Sequence, residues 1–548
     1  MSRVRETRWA RLSRWLVVPL VLSVGAAGCG DDGNKASPSA STAATAGTAS
    51  GPTTTAVEVP VAGGSPTILL YSEIATLDPV KGTGSGGSDG QRFHALYGGL
   101  IAYDANKNVV EGIQAESLKP KGTDYASWQL KLKAGLKFTD GTAFTATSVK
   151  ANWERAQDAA NACPCRGVAA TIKTMTVVDP QTLDITLTTP NAAFDKGVER
   201  VSLNYIASEK AIADKVDMTS KPVGAGPFVL DQWLRDDRMV MSRNPDWLGG
   251  KTPVYLDKLT FRVVSDENQR IDTFITGQAD AFYTSTPGSV TKALKDLKDS
   301  YYASVGLISG QAWVLNNSTA PFNDVRVRTA FVQGVDYAAL AKDILGGATA
   351  ATTFTVKGNP FHDEKALLPK YDLVAAQKLI DSYVAEKNGG QPIKFTMLAS
   401  QQTLDQARVK FVQTSLGQLK NIQVDIQVND GPTTIGKVLR GEYQAASWGF
   451  PVLDPEPGLF NAARSGLPTN YSKYSNPDVD KALDAARVTT DTAERKKLYD
   501  TVWEALARDL PYVPYADTVN GFVIAPKLRG GRLYTDGILR FDLLWVKK

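Results

Sequence analysis

The sequence of 548 residues is short of the side chains on which metal sites and histidine-dependent catalysis rely. It contains three cysteines and only two histidines, His94 and His362. A structural zinc site needs about four such ligands, and a serine–histidine–aspartate triad needs a histidine beside its nucleophile. The scarcity argues against a metal cage and against a histidine-based triad, and no metal, cofactor or catalytic residue is predicted.

A surplus of positive charge is missing from most of the chain. The formal net charge is +4. The first fourteen residues contain five arginines and one glutamate, a balance of +4 that equals the value for the whole chain. Because no surplus remains to neutralise a phosphate backbone, nucleic acid is not expected as a partner.

The apolar run near the N-terminus is too short to cross a bilayer. Residues 15–24 are mostly apolar, whereas a spanning helix needs roughly 20 such residues. Basic residues precede this run and the small residues 26–28 follow it, an arrangement typical of a cleaved export signal. Residues 1–28 are therefore predicted to be a signal peptide.

Cys29 is the candidate lipidation site because it directly follows those small residues. The junction resembles the lipobox of bacterial lipoproteins, although Ala26 stands where that family usually has leucine. The resemblance implies that the Cys29 thiol takes a diacylglycerol and that acyl chains hold the protein on the outer face of the cytoplasmic membrane. Plain secretion with an unmodified Cys29 is the alternative. Residues 29–65 are rich in Ser, Thr, Ala, Gly and Pro, which predicts a flexible tether.

The other two cysteines, Cys163 and Cys165, are separated by one residue. No second cysteine pair or histidine cluster accompanies them, so a zinc site is not expected. We expect either a local disulfide or two free thiols in a surface loop.

Strand patterns recur in the first half of the body. Residues 82–90 contain five glycines and are predicted to be a loop whose backbone approaches a ligand closely. Strands mixed irregularly with helices over a long body favour an α/β protein with more than one lobe. The predicted strands lie at 67–71, 128–133 and 182–187.

Helical spacing dominates the second half of the body. One helix is predicted over 325–345, with Asn323 or Asp324 capping its start. A further helical stretch covers 478–508, within which Asp491 is expected to cap a second helix.

Six short segments share turn and helix-start residues with one known family and occur in its order. They resemble the family 5 solute-binding proteins, the oligopeptide- and dipeptide-binding group, and the resemblance runs from about residue 67 to the C-terminus. It implies an α/β fold of the two-lobed, type II periplasmic-binding-protein kind, which closes over ligand like a Venus flytrap and carries an extra inserted domain. The segments lie at 132–146, 223–233, 243–247, 321–336, 474–480 and 491–514.

The resemblance also implies domain boundaries. The first lobe would combine residues 66–94, 204–309 and 521–548. The inserted domain would cover 95–203, and the second lobe 310–520.

The implied function is capture of a small solute, a peptide in the first instance. A monomeric, extracytoplasmic binding protein without enzyme activity would deliver the solute to an ABC permease and its ATPase. A sugar, an opine-like conjugate or a metal chelate is the alternative ligand, and a sensory lipoprotein is an alternative role. An exported hydrolase is the rival from another class, but the Gly-x-Ser-x-Gly and His-Glu-x-x-His motifs that would indicate one are not found in convincing context.

Two segments are predicted to contact the solute. In the family, ligand lies between the glycine-bearing loop after the first strand and a segment of the second lobe. Aromatic rings in such a segment offer a large, rigid face. A merely flexible loop and tryptophans that pack in the core are the alternatives. The candidate residues are Thr83, Gly84 and Ser85 in the loop, Trp448 and Phe450 in the second segment, and Trp313 in the strand entering the second lobe.

Pro451 departs from the family pattern. Peptide binders of this family often have an aspartate there, three residues before the acid–proline pair, where it pairs with the free amine of the peptide. A buried ammonium without such a partner is unfavourable by several kcal/mol. A free-amine peptide is therefore less strongly implied than a solute in general. Asp454, the acid of the pair, is expected to cap or turn the chain.

Overall fold

The computed structural model describes residues 58–84, 89–104, 109–250, 253–450, 454–534 and 537–548. Residues 59–548 form one compact unit. The predicted signal peptide, Cys29 and the tether up to residue 57 lie outside the described residues, as do Ser85 and Pro451. Residues 58–66 belong to no helix or strand.

The strands of the described chain are numbered in chain order. They are β1 (Thr67–Leu70), β2 (Ile101–Asp104), β3 (Val109–Gly112), β4 (Ala115–Pro120), β5 (Ser127–Leu132), β6 (Ile172–Asp179), β7 (Thr182–Leu187), β8 (Phe228–Leu234), β9 (Arg238–Arg243), β10 (Lys258–Val263), β11 (Ala281–Thr284), β12 (Tyr301–Leu315), β13 (Ile393–Ser400), β14 (Ile422–Asn429), β15 (Ala445–Gly449), β16 (Tyr512–Ile524), β17 (Leu528–Arg529), β18 (Leu533–Tyr534), β19 (Ile538–Leu539) and β20 (Trp545–Val546).

The helices are numbered in the same way. They are α1 (Asp89–Tyr97), α2 (Ala146–Gln157), α3 (Arg166–Ala169), α4 (Phe194–Glu199), α5 (Glu209–Ala213), α6 (Glu267–Ile275), α7 (Pro287–Asp296), α8 (Val325–Gln333), α9 (Tyr337–Ala339), α10 (Leu373–Lys387), α11 (Thr403–Leu416), α12 (Gly431–Arg440), α13 (Gly458–Ala463), α14 (Pro477–Ala486) and α15 (Thr492–Asp509).

One ten-stranded sheet runs through the body in the order β14-β13-β15-β12-β16-β11-β1-β10-β9-β8. Its two longest strands, β12 and β16, pair antiparallel at the centre. We call the part built on β8–β11 and β1 the first lobe, and the part built on β13–β15 the second lobe. Each lobe has its own hydrophobic cores, so β12 and β16 are where the sheet passes from one lobe to the other.

A separate antiparallel sheet, β4-β5-β7-β6, forms the four-stranded subdomain together with α2, α3 and α4. Its strands alternate as the sequence predicts: Leu183, Ile185 and Leu187 of β7 are buried in one core. Because successive side chains of a strand point to opposite faces, this alternation leaves the other face of β7 more exposed.

Cys163 and Cys165 also lie in the core of the four-stranded subdomain and form a disulfide. Their exposed fractions are only 5% and 1%. The disulfide is one of the two alternatives left open above, but the predicted surface loop is wrong, because these side chains pack with the apolar residues of the subdomain.

Aspartate side chains begin several helices of the second lobe. Asp324 accepts a hydrogen bond from the Arg326 amide (2.9 Å) and Asp491 accepts one from the Glu494 amide (2.7 Å). Both caps are as predicted. They satisfy amide groups that have no partner inside the helix.

The single helix predicted over 325–345 is wrong in extent. The first helix, α8, ends at Gln333, and Asp336 starts α9 by accepting a hydrogen bond from the Ala339 amide (3.0 Å). A π-helical turn, Leu340–Ile344, follows. The apolar spacing continues across the break, which is why the sequence suggests one helix.

Candidate functional site

The glycine-bearing loop lies between a short 3-10 turn, Pro79–Lys81, and α1. The amide and hydroxyl of Thr83 both donate to Oδ2 of Asp89, at 2.8 and 3.0 Å. Gly84 has φ of +75°, and a Cβ there would stand 2.8 Å from the backbone nitrogen of Ser202. Both the backbone conformation and the close approach therefore require glycine at this position. Thr83 is exposed and Gly84 is buried.

The start of this loop is fixed by Asp78. Its carboxylate accepts a hydrogen bond from the Val80 amide (3.2 Å) and one from Nη2 of Arg155 on α2 (2.8 Å). Asp78 is buried. The loop is thus anchored to the first lobe and to the four-stranded subdomain at once.

Trp448 lies on β15, directly opposite Ala312 of β12. It is partly exposed, and its ring meets that of Tyr471 edge to face, with 5.2 Å between centroids. A partly exposed aromatic ring beside the strand that passes between the lobes can offer its free face to a solute.

Trp313 and Phe450 are buried in cores of the second lobe. Trp313 has an exposed fraction of 0% and lies against Tyr515, with centroids 4.6 Å apart. Phe450 is 4% exposed and stacks on Tyr512 at 4.7 Å. In this arrangement both rings contact other core side chains, and of the three aromatic candidates only Trp448 keeps exposed surface.

The predicted candidates therefore lie on two sets of elements. Thr83 and Gly84 follow β1, and Gly84 approaches residues 201–202, whereas Trp448 lies on β15. The sheet order places β11, β16 and β12 between β1 and β15, so the strands that pass between the lobes lie between the two predicted contact regions.

Arg408 on α11 is a buried cation that the sequence reasoning missed. It donates to Oε1 of Gln311 and to the hydroxyl of Tyr515 (2.8 Å), residues of β12 and β16. Its Nη2 lies 3.4 Å from Oδ1 of Asp405, and its Nε has no hydrogen-bond partner among the described residues. The spacing Leu404, Arg408, Val412 puts this arginine on the inward face of the helix, a signal that could have found it.

The hydroxyl of Tyr515 stays protonated beside Arg408. Burial raises the pKa of Tyr515, with Arg408 opposing. The same hydroxyl lies 3.4 Å from Oγ of Ser447, the neighbour of Trp448 on β15. Arg408, Tyr515 and Ser447 therefore form a polar group beside β12, β15 and β16, in which Asp405 balances the charge of Arg408.

Asp454 both turns the chain and forms ion pairs with two basic side chains. Its Oδ1 accepts a hydrogen bond from the Glu456 amide (3.0 Å), which is the predicted turn. It also pairs with both terminal nitrogens of Arg495, at 3.1 and 2.6 Å, and with Nζ of Lys196 at 2.6 Å. Arg495 lies on α15 of the second lobe, whereas Lys196 lies on α4 of the four-stranded subdomain. We call Lys196, Asp454 and Arg495 the interdomain cluster.

Burial and charge shift the titration of this region in opposite directions. Burial alone would raise the pKa of Asp454, but Lys196 and Arg495 outweigh it and hold that pKa below its ordinary value. For Glu456, burial dominates over Arg487 and raises the pKa to about 7. Burial likewise raises the pKa of Asp195 to about 6.

The described residues contain no group of three or more histidine, cysteine, aspartate or glutamate side chains arranged to hold a metal ion. Within the same ranges, we find no helix with the length and apolar character that crossing a membrane requires.

Relatives of the chain are solute-binding proteins. The glutathione-binding protein GsiB of Escherichia coli (strain K12) is 27% identical over 484 residues, which cover 84% of this chain and 92% of that protein. The periplasmic binding protein DppA from Helicobacter pylori, solved with the peptide STSA, matches with a TM-score of 0.75 and 23% identity over 89% of this chain and 99% of its own. AgaA from A. tumefaciens R10, solved with agropinic acid, matches with a TM-score of 0.75 and 22% identity over 88% and 99%.

These matches confirm the two-lobed, type II α/β fold predicted from the sequence. Residues 110–469 match the family described as bacterial extracellular solute-binding proteins, family 5, middle. That range is more than half of the chain, and it includes β12 and Trp448. The chain belongs to family 5 of the bacterial extracellular solute-binding proteins.

Proposed function

We propose that this protein captures a peptide-type solute between its two lobes and delivers it to the permease and ATPase of an ABC importer. The observation that carries the proposal is the position of Trp448, partly exposed on β15 and paired with β12. A solute that contacts both lobes beside the strands that join them stabilises the closed form through its differential contacts.

The solute contacts are proposed on both sides of those strands. Thr83, Gly84 and Ser85 would contribute from the first lobe and Trp448 from the second. Trp313 and Phe450 would contribute indirectly. Both side chains are buried and support the β12–β15 strand pair on which Trp448 lies.

The hydrogen-bond donors of the region suit a solute with a carboxylate. Arg408 lies beside β12 and β16, where Asp405 balances its charge, and its Nε is unpaired among the described residues. Pro451 supplies no carboxylate for a free amine. The glutathione-binding and peptide-bound relatives support a peptide, and the relative solved with agropinic acid supports an opine-like anion as the second candidate.

Thermal unfolding of the purified protein with defined solutes tests this proposal. The set would contain glutathione, a dipeptide, its N-acetylated and C-amidated forms, agropinic acid and a sugar. A bound solute at a hundredfold excess over Kd stabilises by about 2.7 kcal/mol. We expect the dipeptide and its N-acetylated form to raise the melting temperature and the C-amidated form to fail.

Trp448→Ala is the matched variant for that screen. It should lose the solute-dependent shift measured against its own solute-free melting temperature, and that solute-free value should itself fall, because Trp448 packs against a core of the second lobe and against Tyr471. Stabilisation by the sugar alone would reject the peptide. No shift with any solute, combined with turnover of a test substrate, would reject the binding function itself.

The remaining expectations complete the proposal. Residues 66–94, 204–309 and 521–548 would form the first lobe, 95–203 the inserted domain and 310–520 the second lobe. Separate cores support a division into three parts, although the first-lobe core also contains Leu96, Tyr97 and Ile113. Residues 1–28 would be removed as a signal peptide. Cys29 would carry the lipid that holds a monomeric, non-catalytic protein at the outer face of the cytoplasmic membrane. Metabolic labelling with palmitate, lost in Cys29→Ser, tests the anchor.

A further inference from the structure

We propose that Gly288 and Gly346 are positioning residues for solute binding. Their backbones meet with no side chain between them, and this contact sets the spacing of the two lobes. The inference rests on the proposed function, because a solute that both lobes hold depends on the distance between them. Neither glycine would touch the solute itself.

The two glycines belong to different lobes. Gly288 lies in the first turn of α7, a helix that packs into a core of the first lobe through Ala293. Gly346 directly follows Leu345, which is buried in a core of the second lobe. Their meeting is therefore a contact between the lobes in addition to the two strands, β12 and β16, that pass from one to the other.

The contact leaves no room for a side chain at Gly288. A Cβ there would stand 2.2 Å from the carbonyl oxygen of Gly346. Ordinary contacts between non-bonded heavy atoms are about 3.5 Å long, so the two backbones would have to separate by about 1 Å. The backbone of Gly288 is outside the left-handed region, and alanine is otherwise the better helix former. Only the close approach therefore requires glycine at this position.

The start of α7 is fixed within the first lobe. Ser289 follows Gly288 directly, and Thr286 precedes it by two residues. The carboxylate of Glu267 accepts hydrogen bonds from three hydroxyls of this segment, those of Thr284 (2.7 Å), Thr286 (3.0 Å) and Ser289 (2.6 Å). The chain is thus held on both sides of Gly288.

The loop that contains Gly346 is held as well. The Gly347 amide donates to the carbonyl of Ala341 (3.1 Å), and the Ala351 amide donates to the carbonyl of Tyr515 on β16 (3.3 Å). Because both backbones are fastened to their own surroundings, a side chain added at the contact acts on the spacing of the lobes.

Gly288→Ala tests the contact, and Gly347→Ala is its matched control. Gly347 is the next residue of the same loop, and no atom lies within 4 Å of the position that its Cβ would take. Pulsed electron paramagnetic resonance would measure the distance between spin labels at Leu234→Cys on β8 and Val374→Cys on α10, exposed positions of the two lobes, in a Cys29→Ser background. Calorimetry on the unlabelled variants would give the Kd for glutathione and for Met-Leu dipeptide.

We expect Gly288→Ala to shift the solute-free label distance by about 1 Å or more and to weaken solute binding about tenfold, as overpacking of this size does. Gly347→Ala should leave both values unchanged, although alanine at its positive φ makes the protein less stable. An unchanged distance or an unchanged Kd in Gly288→Ala, or the same changes in Gly347→Ala, would overturn the inference.

A crosslink across the contact is the second test, and it does not depend on a larger residue at position 288. The Cβ position of Gly346 lies 3.4 Å from Cγ2 of Thr286, so Thr286→Cys and Gly346→Cys place two thiols within reach of a disulfide. The oxidised double variant, again with Cys29→Ser, should bind the peptides within about twofold of the Gly346→Cys single variant.

Two results of the crosslinking would contradict the inference. Thiols that fail to join would show that the backbones do not stay in contact, and a loss of binding on oxidation would show that solute binds with the contact broken. If neither peptide binds the wild type, the peptide proposal fails. The solute-free label distance then still decides whether the two glycines set the spacing of the lobes.

Discussion

Two buried aspartates have similar partners but lie in different kinds of place. Asp542 is 0% exposed. Its carboxylate lies 2.7 Å from Nη2 of Arg540 and 3.6 Å from Nε2 of His94. Asp454 likewise pairs with an arginine and a second basic group. Arg540 and His94 are both buried in the first lobe, whereas Lys196 and Arg495 belong to different parts of the molecule. The same ion-pair chemistry therefore acts within one lobe in one place and between two parts of the molecule in the other.

The surroundings of Asp542 show why that site is permanent. Nδ1 of His94 lies 2.8 Å from the carbonyl of Gly98 and 3.1 Å from the hydroxyl of Tyr534. Burial alone would raise the pKa of Asp542, but Arg540 and His94 outweigh it and hold that pKa well below its ordinary value. All of these groups are buried within the first lobe.

The largest effect is expected from Asp542→Asn. This change leaves Arg540 buried without its counter-charge, and breaking such a pair costs about 3–5 kcal/mol. The free energy of unfolding, measured by urea denaturation, should fall by that amount. The solute affinity of the folded protein should stay the same. A loss below about 1 kcal/mol, or a selective loss of solute binding, would remove the distinction between the two aspartates.

The pH dependence of the free energy of unfolding should distinguish the region around Asp454 from the region around Asp542. The pKa of Glu456, beside Asp454, is raised to about 7 from an ordinary 4.5. Because the folded value lies above the unfolded one, the neutral carboxyl stabilises the folded protein fully below pH 4.5, and that stability is lost as pH rises through 7. Between pH 6 and 8 the loss is roughly 1 kcal/mol for one proton. Asp542 has a depressed pKa, so its contribution is lost only as pH falls below its ordinary range.

Glu456→Gln is the variant that isolates this effect. The charged groups around Glu456 are Arg487, Asp454, Arg495 and Arg200, and all of them remain in the variant. The unfolding free energy of Glu456→Gln should fall less between pH 6 and 8 than that of the wild type. The pKa of Asp195, raised to about 6, leaves a smaller slope of the same sign. Equal slopes in the two proteins would show that Glu456 does not titrate in this range.

Local patterns predicted an α/β protein with more than one lobe, because they depend on neighbours in sequence, whereas the two-lobed, type II form was implied by the family resemblance. The alternation at 182–187 and the caps at Asp324 and Asp491 are satisfied by residues at most a few positions away. The break between α8 and α9 was missed, since Asp336 interrupts the helix while the apolar spacing continues. The pairing of Cys163 with Cys165 was left open, because spacing alone does not say whether both side chains enter a core.

The polar contacts of the candidate site could not be predicted in the same way. Asp454 pairs with a lysine 258 residues away and an arginine 41 residues away, and no local pattern selects those partners. Trp313, Trp448 and Phe450 have similar aromatic character in the sequence, and only strand pairing and packing distinguish the partly exposed ring from the two buried ones. Arg408 was the exception that spacing could have revealed.

The smallest effect is expected from Asp257→Asn. This variant tests whether the contribution of an ion pair to stability depends on its burial or on the distance between its two charged groups. Arg243 and Asp257 lie in the first lobe at 2.7 Å, the same separation as Arg540 and Asp542, but the Asp257 side chain is 52% exposed. Water already solvates both charges, so the pair contributes about 0.2–1 kcal/mol, and less at high salt. Urea denaturation of Asp257→Asn beside Asp542→Asn, at low and high salt, measures the difference directly. If the two variants lost equal stability, ion-pair geometry alone would set these energies, and the buried position of Asp542 would have no part in them.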